Sequence, residues 1–239
     1  MGLVFFDKTF TVADLPHPKI SESVFLVVEE ALRVAWDLLR TNPRPGFNLL
    51  SATEDVITQE LYEQLYDEVF KKGIVNGFDS QIFADITRAP KVRNYDGSSP
   101  DKMPDMRIKL FHRDVFKPSQ DGLFIECKPV DSDHSVGVHY CDKGIIRFIC
   151  GDYAWAMIDA MMIGYTRSGY TISSKLATAL NSSVKEWFTV TAPFACKRSK
   201  QDKNSEVVHI SQHSRAFSYI ETGQQAPNIT LRHLWLRRD

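Results

Sequence analysis

Asp105 and, further along, the run Glu126-Cys127-Lys128 are the residue types in this chain that could do chemistry together. Two carboxylates and an ammonium suit phosphodiester hydrolysis. Hard oxygen ligands hold Mg2+, with Mn2+ able to substitute, and such a cation keeps several waters while binding one or two carboxylates plus phosphate oxygens. It stabilises negative charge at phosphorus and lowers the pKa of a bound water. A neighbouring lysine orients that water or neutralises the charge that develops.

The surrounding residues must supply the geometry. Asp105 opens Met106-Arg107-Ile108-Lys109-Leu110-Phe111, which alternates as a half-buried strand does, and Glu126 and Lys128 close a second strand starting at Gly122. Side chains two apart on a strand share a face, so Glu126 and Lys128 point the same way. Antiparallel pairing of the two strands brings Asp105 to that face. The alternative is an ordinary hairpin with exposed charges.

Pro104-Asp105 followed by Glu126-Cys127-Lys128 resembles the PD-(D/E)XK phosphodiesterase superfamily, which includes many restriction endonucleases. The resemblance implies an α/β protein with a restriction-endonuclease-like core, a central mixed β-sheet flanked by α-helices. In that family the Asp opens one strand, the Glu-x-Lys ends the next, a helix follows, and an upstream helix often adds another acid. Carried onto this chain, it implies Asp105, Glu126 and the backbone carbonyl of Cys127 as metal ligands, Lys128 assisting the attacking water, and Glu54 as the additional acid. The implied substrate is DNA, cut within a strand, in a restriction or antiviral-defence setting that can include a protein partner. A Gln-x-x-x-Tyr motif, which marks an exonuclease branch, is not matched.

The 239 residues, with ordinary apolar and charged fractions and a formal net charge of −1, read as one domain over 1–239. Its core spans about 51–165, with an N-terminal helical extension over 1–46 and C-terminal strands over 184–239. Global charge does not advertise nucleic acid, so any electrostatic footprint must be local. Four cysteines without a Cys-x-x-Cys pair argue against a zinc cluster or a dense disulfide framework and fit a reducing cytoplasm. The amino terminus lacks the basic flank of a secretory signal and reads as a native start. The most apolar window, 144–164, contains Arg147, Asp152 and Asp159, which a membrane span would resist.

Along the chain, Val24, Val28, Leu32, Trp36 and Leu39 form one stripe of a helix over 21–40, with Glu29 and Glu30 on a solvated face. Pro43 and Pro45 end it. A second helix carries Ile57, Leu61, Leu65 and Val69, stopping at Gly73. Ser51-x-x-Glu54 at its start reads as a capping box, and Glu54 can equally face the sheet end as a metal-site acid. The stretch 76–103 is loop with a short strand around 82–86, and His112 is a surface residue. A long apolar helix is expected from Lys143 to Arg167, with Lys143 and Arg147 on one face, toward DNA phosphates or as a plain surface patch. A short helix over 173–183 precedes a strand from Glu186 to Thr191 that Pro193 ends.

Three further groups bear on partners. Lys197, Arg198 and Lys200 form a basic loop that either tracks a phosphate backbone or keeps the protein in solution. Val207, His209, Ser211, His213 and Arg215 alternate on one face, turned toward DNA or forming the wet side of an edge strand. Residues 229–236 make the last strand. Rival readings are a non-catalytic subunit that binds nucleic acid or a partner, and a phosphodiesterase acting on RNA or a nucleotide. Cutting both strands of a duplex needs two sites, which a homodimer would provide.

Overall fold

The structure, a computed structural model, describes residues 10–111, 113–167, 169–181 and 188–239. His112 and the Glu186-Trp187 start of the expected strand lie outside the described residues. Helix α1 (Glu22–Thr41) begins where the Ser21 hydroxyl accepts the Val24 N–H, and it buries Val28, Leu32, Trp36 and Leu39. Glu29 departs from the solvated face expected for it: it is buried and accepts from Arg232 at 2.9 Å.

Helix α2 (Glu54–Glu63) continues as a π-helical stretch, Gln64–Phe70. Ile57, Leu61, Leu65 and Val69, four apart, all lie in the core. The capping box does not form. Thr53 occupies the cap position without a side-chain bond, which leaves the Glu54 carboxylate free to reach elsewhere.

Seven strands form one mixed sheet in the order β1-β2-β3-β4-β7-β6-β5. They are β1 (Phe83–Arg88), β2 (Met106–Leu110), β3 (Leu123–Val130), β4 (Asp159–Thr166), β5 (Thr189–Ala195), β6 (His209–His213) and β7 (Ile229–Arg237). The centre, β3-β4-β7, is parallel, and both flanks are antiparallel. Every residue of β3 and β4 is buried, as a parallel centre covered on both faces requires.

That burial corrects the expected helix from Lys143 to Arg167. The helix there (α3) covers 136–149, π-helical over Val136–Ile145 and α-helical over Ile146–Ile149. Gly151, at φ +72°, turns the chain out of it, and the rest of the apolar run becomes strand β4. A run apolar on all sides has no period to separate a buried strand from a buried helix. The short helix α4 is π-helical over Ile172–Leu176 and α-helical over Ala177–Leu180.

Pro193 does not end β5, which runs on to Ala195. β5 pairs only with β6, and an edge strand tolerates the missing donor. Among the described residues no helix is long and apolar enough to cross a membrane.

One glycine fixes the sheet centre. Gly164 stands in register between Lys128 on β3 and Trp235 on β7. A Cβ there would meet the Trp235 ring at 2.5 and 2.7 Å, and the buried indole has nowhere to go. Gly164→Ala is therefore expected to destabilise the fold by about 1–3 kcal/mol in urea denaturation; an unchanged midpoint would show that the indole can move.

Candidate active site

Asp105 sits just before β2, and its position follows from the strand pairing. The β2–β3 ladder ends at Met106↔Ile125. Beyond it the Asp105 side chain takes over: Oδ2 accepts the Cys127 N–H at 2.7 Å. Arg88, at the end of β1, holds the same residue from the other side, donating to its backbone carbonyl at 2.9 Å.

Lys128 lies at the centre. Its Nζ stands 2.6 Å from Glu54 Oε1, 2.9 Å from Glu126 Oε1 and 3.8 Å from Asp105 Oδ2. It also donates to the Cys127 carbonyl at 2.9 Å. One ammonium thus gathers acids from three elements. The other Glu126 oxygen, Oε2, accepts from the Tyr153 hydroxyl. Asp105 and Glu126 lie on the same side of the sheet, both within reach of one ammonium.

The helix that carries Glu54 is pinned to the sheet by side-chain bonds. Thr58 donates to the Glu54 carbonyl at 2.8 Å and accepts from the Tyr165 hydroxyl of β4 at 3.0 Å. Tyr165 in turn stacks on Trp36 of α1, with ring centroids 5.5 Å apart. On the other side, Gly144 of α3 packs on β4: a Cβ there would stand 2.6 Å from Met162 Cε, and at an ordinary contact distance of 3.4 Å from Lys128 Cγ.

Negative charge is in excess. Burial raises the pKa of Glu54, which the Lys128 ammonium only partly offsets. Burial likewise raises Asp105 against the pull of Lys128, the Cys127 N–H and Arg88. Burial opposes the charge on Lys128, but Glu126, Asp105 and Glu54 together outweigh it and hold the amine above its usual range. Lys128 is therefore a charged hydrogen-bond donor at neutral pH.

The donor set fits a hard divalent cation. Ligand oxygens of Glu54, Asp55 and Asp105 lie within 4.8 Å of one another, the group of this kind found among the described residues; Glu126, expected as a ligand, is not in it and instead meets Lys128 and Tyr153. Four carboxylates, Glu54, Asp55, Asp105 and Glu126, face two cationic groups, Lys128 and Arg88, which leaves two negative charges when all are ionised. Carboxylate and carbonyl oxygens are the ligands that Mg2+ and Mn2+ prefer. Sequence reasoning gave Asp55 no role. Its only signal was adjacency to Glu54 in the first turn of α2.

The residues read as nucleic-acid contacts divide. Lys143 and Arg147 are exposed on α3, and Arg147 donates to Asp152 at 2.8 Å. Lys197, Arg198 and Lys200 are exposed beyond β5, four strand positions from β3, or roughly 19 Å at the usual strand spacing. Arg198 and Lys200 there line a cavity against Leu26, Val27 and Glu30 of α1.

His213 and Arg215 are not on a DNA-facing surface, which corrects that expectation. Both are buried. His213 shares the Ser211 hydroxyl with His233, at 2.8 and 2.7 Å. Arg215 donates to the carbonyls of Trp155 at 2.7 Å and Ala154 at 3.1 Å, and to that of Met157. The alternating polar face is turned inward, and most of its polar groups pair with one another or with the backbone.

The chain matches no protein-family model, no curated protein and no solved structure.

Burial, reinforced by the Asp105 charge, pushes Glu126 from its usual 4.5 to about 7. A folded-state pKa above the unfolded one makes this group's contribution most favourable at low pH. It is lost as pH rises from about 4.5 through about 7, by roughly 3 kcal/mol in all. Glu126→Gln removes the titration. The variant should gain several-fold more in thermal midpoint, relative to wild type, at pH 8 than at pH 5. Equal changes at both pH values would contradict the buried-carboxylate account.

Proposed function

We propose that the protein is a divalent-cation-dependent endonuclease of the PD-(D/E)XK kind, with a restriction-endonuclease-like core, hydrolysing phosphodiester bonds in DNA. The observation that carries the reading is the convergence of Glu54, Asp105 and Glu126 on one Lys128 ammonium with negative charge to spare. Support also comes from the order of parts that the resemblance implied. An acid-bearing helix comes first, then Asp105 opening β2, then Glu126-Cys127-Lys128 within β3, then α3.

In this reading Asp105, Glu126 and the Cys127 carbonyl, with Glu54 and Asp55 beside them, would hold Mg2+ or Mn2+. The chemistry such a cation supplies when bound is neutralisation of phosphate-oxygen charge and easier ionisation of water. The chain's own contribution is positional and electrostatic. Asp105 is held at both its backbone and its carboxylate, so its oxygens are preorganised. Lys128, kept protonated by its neighbours, donates to water or to an anionic phosphate oxygen. Lys143 and Arg147, exposed on α3, are the cations this reading assigns to the flanking phosphates. The four cysteines are free thiols, consistent with a reducing cytoplasm. A homodimer would supply the second site for a duplex, and the resemblance suggests a restriction or antiviral-defence setting with a protein partner.

Purified protein incubated with supercoiled plasmid and Mg2+ should nick or linearise it, and a chelator should abolish cleavage. Asp105→Ala and Lys128→Ala should each lose about 100-fold or more in rate. Cleavage that persists in chelator, or equal behaviour of wild type and Asp105→Ala, sinks the proposal; binding without cleavage in both would mark a non-catalytic binder. In titrations with Ca2+, Lys143→Ala and Arg147→Ala should each weaken DNA binding and reduce the salt-dependence slope by about 1. An unchanged slope would remove them from the interface.

A further inference from the structure

We infer that Tyr153 is the positioning residue for Glu126, its phenol hydroxyl holding the carboxylate in the orientation from which it serves the cation site; the inference rests on the reading above. Each Glu126 oxygen has one fixed partner, Lys128 for Oε1 and Tyr153 for Oε2. Glu126 is 5% exposed and Tyr153 3%, so solvent is poorly placed to replace a lost donor. The carboxylate is acceptor-only when ionised, which makes the phenol the donor. Rotation of the carboxylate would leave a buried oxygen unpaired, at a cost comparable to a lost charge-assisted bond.

Tyr153 is itself held on a braced loop between α3 and β4. Its ring meets Phe148 edge-on, with centroids 5.1 Å apart. The next residues are clamped by the buried Arg215 guanidinium through the carbonyls of Ala154, Trp155 and Met157. The Trp155 indole donates to the Arg93 carbonyl at 3.0 Å. Gly151, two residues earlier, packs its backbone so closely on Phe217 and Tyr95 that a Cβ would stand 2.8 and 3.0 Å from their rings. This connection delivers one hydroxyl to one carboxylate oxygen. Packing against Phe148 alone would be served equally by phenylalanine; the hydroxyl is the part that acts on Glu126.

Partners that orient a metal ligand typically affect metal affinity by about 10- to 100-fold. The test is Mn2+ binding by calorimetry on wild type, Asp105→Ala and Tyr153→Phe, with thermal midpoints of the metal-free proteins. Tyr153→Phe should weaken Mn2+ about 10-fold, and any fall in its midpoint should be restored by adding Glu126→Gln, which removes the buried charge that has lost one of its two donors. A Mn2+ affinity within about twofold of wild type, or a lost midpoint that Glu126→Gln does not restore, overturns the role of Tyr153. If wild type and Asp105→Ala bind Mn2+ alike, the cation-site reading itself fails, and this inference with it. Wild-type binding that Asp105→Ala loses and Tyr153→Phe keeps sinks the positioning role alone.

Discussion

The ammonium of Lys128 is the interaction on which the arrangement depends. It is mostly buried, and so are the acids it serves, so neither side could be left without the other. Removing one partner of a buried ion pair exposes the remaining charge to a medium that cannot solvate it. Because Glu54 arrives from α2, Asp105 from the start of β2 and Glu126 from β3, the pairing also ties the helical layer to the sheet. Lys128 and Arg88 together cannot neutralise four ionised carboxylates. Burial is the main cause of the raised pKa values of Glu54, Asp105 and Glu126, and the negative charge left over when all four carboxylates ionise is the physical argument for a further cation at the same place.

The rest of the fold supports this point with ordinary packing. A parallel centre, covered on both faces, gives β3 a rigid frame on one side, while the antiparallel β2 brings Asp105 from the other. Two glycines, Gly144 and Gly164, are tolerated in the core because a neighbour needs the space a Cβ would take. The histidines and serine of the β6–β7 region form a buried chain from Tyr140 through His233 and Ser211 to His213. Such a chain specifies one pairing of strands, since a slipped register would leave buried donors unsatisfied.

Much of the site was legible before the fold was known. Asp105, Glu126 and Lys128 could be read from residue type and strand period, because alternation on a strand is a local property. The stripes of α1 and α2 were legible for the same reason. Glu54 was legible only as an alternative: its local environment allowed a cap, and the choice was made by a lysine from β3. Asp55 carried only its adjacency to Glu54, and Tyr153 carried no signal, since its partner Glu126 is distant in sequence.

Two of the misreadings share a cause. The run that becomes β4 is apolar throughout, and His213 and Arg215 alternate like a surface strand, yet both segments lie inside. Whether an apolar run is helix or strand, and whether a polar face meets water or a buried partner, depends on what covers it. The covering elements come from elsewhere in the chain: β3 and β7 for β4, and the Ala154, Trp155 and Met157 carbonyls for Arg215. The sequence by itself determined periodicities, breaks and the chemistry of the candidate residues, which are set by neighbours in the chain. Only the tertiary structure decided burial, partner and charge balance, because those are set by groups that are distant in sequence and close in space.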